Sequence, residues 1–146
     1  MAMSILGIGV VAVSAALTAG SQQTAAVADV RLATELAEAM LEEILALPYD
    51  DPDGASALGP EGGESRLTFD NTDDFHGYTE ADGSVAMADG TAYPAGYVRF
   101  ARAVSISAVA MQPAGFPASV DGLQVTVTVT QEGNTLAVIT RFVTEP

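Results

Sequence analysis

From Met1 to Ala28 the chain carries no ionisable side chain; the first is Asp29, followed by Arg31. An apolar helix of roughly 20 residues, rising about 1.5 Å per residue, spans about 30 Å, the thickness of a bilayer's hydrocarbon core. No proline interrupts the chain before Pro48. From Val27 onward apolar residues recur at helical spacing: Val30, Leu36, Met40, Ile44 and Leu47, with Leu32, Ala37 and Leu41 widening the stripe. Glu35, Glu38, Glu42 and Glu43 fall mostly on the other face. The spacing therefore predicts one helix over residues 1–47, apolar all round in 1–21 and amphipathic in 22–47, stopped by Pro48. A long helix that changes character midway serves two environments: a membrane or multi-chain bundle first, its own domain second. Gly7, Gly9 and Gly20 weaken it locally.

Two other readings compete for the opening. Gly7-Ile8-Gly9-Val10-Val11-Ala12 matches the relaxed dinucleotide pattern G-x-G-x-x-A. That pattern needs a parallel βαβ unit, whereas the next segment is helical and the strand-like runs all come later. Small residues at Ser14-Ala15-Ala16 suit signal-peptide cleavage, but a basic n-region is missing and the uncharged run exceeds a usual h-region. In a retained helix, Ala12, Ala16 and Gly20 fall four apart and form a small-xxx-small face on which another helix packs closely. The candidate helix–helix interface is then Ile5, Leu6, Ile8, Val10, Val11, Ala12, Val13, Ala16, Leu17 and Gly20.

A chain of 146 residues has room for one modest core. Its five cations, all arginines, stand against 19 acidic residues for a net charge of −14. Such a surface repels phosphate backbones, so nucleic acid is excluded as a partner. Without cysteine there is neither a disulfide framework nor thiolate chemistry.

Residues 48–96 are rich in Gly, Pro, Asp and Ser and read as acidic loops, with at most a short strand from Arg66 to Phe69. Residues 97–146 read as antiparallel strands. Tyr97 to Ile106 alternates, with Val98, Phe100, Val104 and Ile106 on one face and Arg102 interrupting it. Leu123 to Thr130 alternates strictly, valines 125, 127 and 129 pointing one way and threonines 126, 128 and 130 the other. The stretch from Gln131 to Asn134 predicts a hairpin turn into Thr135 to Val143. Three strands with one valine-rich face need a cover, which the helix stripe supplies. The predicted fold is α+β: a long N-terminal helix packed across a small antiparallel sheet, with Val30, Leu36, Met40, Ile44, Leu47, Val125, Val127 and Val129 as the helix–sheet core.

An uncharged helix continuing into an amphipathic one, then loops and a small sheet, resembles the type IV pilins and the pseudopilins of type II secretion. The segments LAEAMLEEILALPYDDPDG (Leu36 to Gly54) and FDNTDDFHGYTE (Phe69 to Glu80) look more specifically like minor pilins of the mannose-sensitive haemagglutinin type, the D-type subunit. The mature chains of that family begin with a methylated aromatic in a stretch like F-T-L-I-E, after a basic leader ending in glycine. MAMSILGIG looks like the continuation of that stretch, lacking the leader and the first mature residues. The resemblance implies a structural subunit and no enzyme. It would wait in the bacterial inner membrane as a single-pass protein, then join an extracellular pilus or periplasmic pseudopilus by helix bundling. Its partners would be other pilin subunits and the assembly platform, whose ATPase supplies the work, so no cofactor is implied. The alternative is an exported acidic binding domain with a cleaved signal peptide.

No catalytic pattern competes: G-x-S-x-G and HExxH are missing, and so are cysteine and lysine. The single histidine, His76, stands beside Asp73 and Asp74 without a partner motif and reads as a loop-structuring residue. Two acidic clusters, Asp50, Asp51, Asp53 and Glu61, and Asp70, Asn71, Asp73 and Asp74, carry the hard oxygens that suit Ca²⁺. DPDGASALGPEG lacks the glutamate an EF-hand loop needs at its twelfth position. The clusters therefore read as solvated loops, and no metal ligand is assigned.

Overall fold

A computed structural model describes the backbone of residues 2–145 except 53, 55, 56, 113 and 116, and the side chains from residue 20 onward outside those positions. A single helix, α1, covers Ala2–Leu45. By compactness the chain divides within that helix into Met1–Leu32 and Ala33–Pro146.

In the first unit, Gly20 to Arg31 is exposed at every position except the half-buried Asp29. The Thr24 hydroxyl returns to the Gly20 carbonyl at 2.9 Å, a bond one turn back that satisfies the side chain without any neighbour. Val27 is 65% exposed and Val30 45%. Val30 therefore does not belong to the core, although it keeps the phase of the stripe. Helical periodicity records which residues share a face, but not how far along the helix a cover extends.

In the second unit the stripe is buried from Ala33 onward: Ala33, Leu36, Ala37, Met40 and Ile44 are wholly inaccessible. Burying a large apolar side chain contributes about 1.5–3 kcal/mol, which is what holds this stretch helical and in place. The helix ends at Leu45, two residues before the expected boundary. Leu47 precedes Pro48, whose ring disfavours helical backbone at that position, and a tighter Leu47 N–H to Ile44 carbonyl bond of 3.2 Å closes the turn. Leu47 is accordingly half-buried beyond the helix end rather than a member of its stripe.

The sheet has four antiparallel strands in sequence order: β1 (Thr79–Glu80), β2 (Phe100–Met111), β3 (Val120–Gln131) and β4 (Asn134–Thr144). Helix and sheet together make an α+β fold. On β2 the inward face is Phe100, Arg102, Val104 and Ile106; on β3 it is Leu123, Val125, Val127 and Val129. Register keeps these in line, with Val104 opposite Val127 and Ile106 opposite Val125. The β3–β4 turn is the expected one. Glu132 and Gly133 take φ of 50° and 79°, the left-handed pair that a two-residue hairpin requires and that glycine accepts without strain. Gly122 is required for another reason. A Cβ there would collide with the Val143 carbonyl oxygen and stand 2.8 Å from the Phe142 ring.

Three expectations shift. Val98 lies outside β2 and is exposed, because β2 begins at Phe100 and runs on to Met111. The short strand forms at Thr79–Glu80 rather than at Arg66 to Phe69. There Ser65 and Thr68 bond each other's backbone and side chains at 2.7–3.0 Å, and that local turn outcompetes extended chain. The acidic loops also carry their own apolar nucleus. Phe69, Phe75 and Tyr78 meet edge to face, with centroids 4.9–6.1 Å apart.

Candidate functional site

The proposed helix–helix interface divides at residue 20. Ile5, Leu6, Ile8, Val10, Val11, Ala12, Val13, Ala16 and Leu17 lie outside the residues whose side chains are described, on backbone that is helical. Gly20 is exposed, and a Cβ built on it meets nothing within 4 Å. Among the described residues no helix is long and apolar enough to cross a membrane.

The helix–sheet core residues Leu36, Met40, Ile44, Val125, Val127 and Val129 are fully buried and share one interior with the sheet. Inside it sits a charge network that the spacing of residues did not reveal. Arg66, from the loop, grips Glu43 of α1 with a two-pronged fork, Nε to Oε1 at 2.7 Å and Nη2 to Oε2 at 2.6 Å. Its Nη1 donates to Glu80 Oε1 at 2.6 Å and to the Ala86 carbonyl at 3.0 Å. Arg102 donates from Nε to the other Glu80 oxygen, and from Nη1 to the Leu36 carbonyl at 3.3 Å. Glu80 Oε1 also accepts from the Tyr78 hydroxyl and the Ala86 N–H, each at 3.2 Å.

Two guanidiniums thus meet two carboxylates and join α1, the loop, β1 and β2 in a neutral cluster. Burial opposes the charge of Arg66, yet the hydrogen bonds and charge of Glu43, with the charge of Glu80, raise its pKa above the ordinary guanidinium value. Burial, with the Glu80 charge, pushes the Tyr78 phenol up as well. Arg102 therefore does not break the inward face of β2, since its charge is neutralised there. Likewise Glu43 is not on a solvent face. Glu35 too is half-buried and accepts a 3.0 Å bond from the Tyr97 hydroxyl.

His76 structures the loop. Its Nδ1 accepts from the Ile106 N–H at 3.2 Å, which extends the edge of β2 past the short β1. The ring nitrogen Nδ1 takes the place of a backbone hydrogen-bond acceptor.

The acidic loop residues regroup in space. Glu61 comes from one sequence cluster, Asp74 from the other, and Glu64, which neither included, joins them. A carboxylate oxygen from each lies within 4.8 Å of the other two. Asp74 sits in a single turn of 3-10 helix, Asp73–Phe75, locked by a reciprocal pair. Its N–H donates to Asn71 Oδ1 at 3.0 Å, and its Oδ2 accepts from the N–H groups of Asp70 and Asn71 at 2.9 and 3.2 Å. Asp74 is fully buried, and its other oxygen, Oδ1, has no hydrogen-bond partner among the described residues; the same holds for Asn71 Nδ2. Sharing a hydrogen bond with Glu64, and feeling the charge of Asp51, the Glu61 carboxyl is pushed up to about 7. Asp73 is raised too, first by burial and then by the charges of Asp74 and Asp51. Of the first cluster, Asp50 is exposed and Asp53 lies outside the described residues.

No protein-family profile, curated protein or solved structure matches the chain.

Proposed function

We propose that the chain is a structural subunit of a type IV pilin-like or pseudopilin-like filament, most like a minor pilin, held in a membrane by its first helical half until helix bundling draws it into the filament. The observation that carries this is the uneven cover of α1. Ala33 to Leu45 is seated on the sheet, whereas Gly20 to Arg31 stays helical and exposes Val27 and Val30, next to an uncharged stretch of the same helix. A helix this poor in charge is not sustained by side-chain ion pairs in water; lipid or neighbouring helices supply what it lacks.

The pilin-type sequence segments support the same function. The neutral charge network supports it mechanically, because it ties the helix to the globular part, as a subunit pulled by its helix needs. The net charge of −14 speaks against a nucleic-acid partner.

The test is to image filaments sheared from cells of the source organism, using an antibody against the Ala33–Pro146 unit. The antibody is expected to decorate filaments. An Ala16→Arg chain, with a charge on the small-residue face, is expected to leave filaments undecorated while its globular part unfolds at the same temperature. Recovering the chain only as a diffusing species whose mass lacks the first twenty or so residues would overturn the proposal in favour of an exported acidic domain.

A further inference from the structure

We infer that the loop after α1 is a cation site, in which the carboxylates of Glu61, Glu64 and Asp74 together hold one divalent, oxygen-seeking ion of the calcium class. The site is independent of whether the chain assembles into filaments.

Proximity of acids alone would not support this; the state of Asp74 does. A fully buried carboxylate oxygen without a donor is costly, and native interiors seldom leave one so. Two backbone N–H groups fix Asp74 through Oδ2, so its orientation is set and Oδ1 is the oxygen left to bind. Glu64 is oriented as well, its Oε2 accepting from the Glu61 N–H at 2.9 Å. Asp74 and Glu64 are therefore pre-positioned by backbone rather than gathered by chance.

No guanidinium neutralises them. The sequence neighbour Arg66 has its fork on Glu43 and Glu80, and among the described residues no ion pair reaches Glu61, Glu64 or Asp74.

The spacing is compatible with a calcium-class ion. Calcium binds oxygens at about 2.3–2.6 Å, so oxygens on opposite sides of one ion stand roughly 4.6–5.2 Å apart. The observed spread of 4.8 Å or less needs no contraction to match that. Three carboxylates offer up to six oxygens, and water completes the set.

The experiment uses the full chain in detergent, titrated calorimetrically with CaCl₂ and with MgCl₂, and melted in calcium and in EDTA. One calcium per chain is expected. The melting midpoint should rise by roughly 5–10 °C when calcium stands about a hundredfold above its dissociation constant. Asp74→Asn keeps an acceptor for the two N–H groups and should weaken binding at least tenfold. In case that buried change disturbs folding, the less buried pair Glu61→Gln with Glu64→Gln should do the same with an EDTA melt no lower than that of the unaltered chain. Asp89→Asn, outside the cluster, should bind as the unaltered chain does. Absence of calcium heat together with equal midpoints would overturn the site. So would undiminished binding by the double glutamine variant, or an equal loss in Asp89→Asn, which would reveal general acidity.

Discussion

Glu43 and Glu80 are met by two arginine forks, whereas Glu61, Glu64 and Asp74 are met by backbone N–H groups and by one another. Both groups draw carboxylates out of water within the same compact unit. In the first, each lost hydration shell is replaced by a cation and by fixed dipoles, and the cluster closes neutral. In the second, the dipoles are present but, among the described residues, no arginine supplies the counter-charge. A buried pair is expensive to break, because the surviving partner is stranded. A like-charged set around one buried carboxylate is instead poised, since whatever neutralises it is exchangeable.

The comparison can be broken most directly at Arg102, whose side chain is 1% exposed. Arg102→Met strands one buried oxygen of Glu80, and should destabilise the protein by about 3–5 kcal/mol in urea unfolding. A cost under about 1 kcal/mol would place the pair in the class of solvated surface bridges and remove the contrast. Glu43→Gln should be milder. Glu43 is more open than Glu80, and Arg66 retains the second carboxylate, so about 1 kcal/mol is expected by the same measurement.

The smallest effect sharpens the other side. In EDTA, Glu61 binds its proton up to about pH 7 in the folded chain but only up to its ordinary 4.5 when unfolded. Between those values the folded state holds more protons, so raising the pH through that window lowers stability. Glu61→Gln removes the dependence. Its melting midpoint should match the unaltered chain near pH 4.5 and exceed it above pH 7, by a modest margin because water screens this half-exposed group. Identical profiles would mean that Glu61 and Glu64 do not share a proton.

Much of the fold was legible before any coordinates. Leu36, Met40 and Ile44 announce a buried helix face by their spacing, and valines 125, 127 and 129 announce a sheet face by strict alternation. Glu132 and Gly133 announce their turn because few residue pairs accept left-handed backbone twice in succession. The candidate cation site was legible only in its ingredients. Glu61 and Asp74 stood in separate acidic runs, and nothing local says that the intervening chain folds back to unite them with Glu64. β1 was missed for a similar reason: two residues are too short for a period, and they become a strand only by pairing with Arg102 and Ala103.

The order of helix, acidic loops and hairpin, and the face each element buries, belongs to the sequence alone, because periodicity and turn chemistry act among residues a few positions apart. Where the cover of the helix stops, so that Val30 is exposed and Ala33 inaccessible, was decided by tertiary structure. So was the choice of which carboxylates meet arginine. Arg66 reaches Glu43 and Glu80 across 23 and 14 residues, and Arg102 reaches Glu80 across 22. Coulombic and hydrogen-bond partnerships depend on distance in space, and over such separations that distance exists only once the chain has closed on its core.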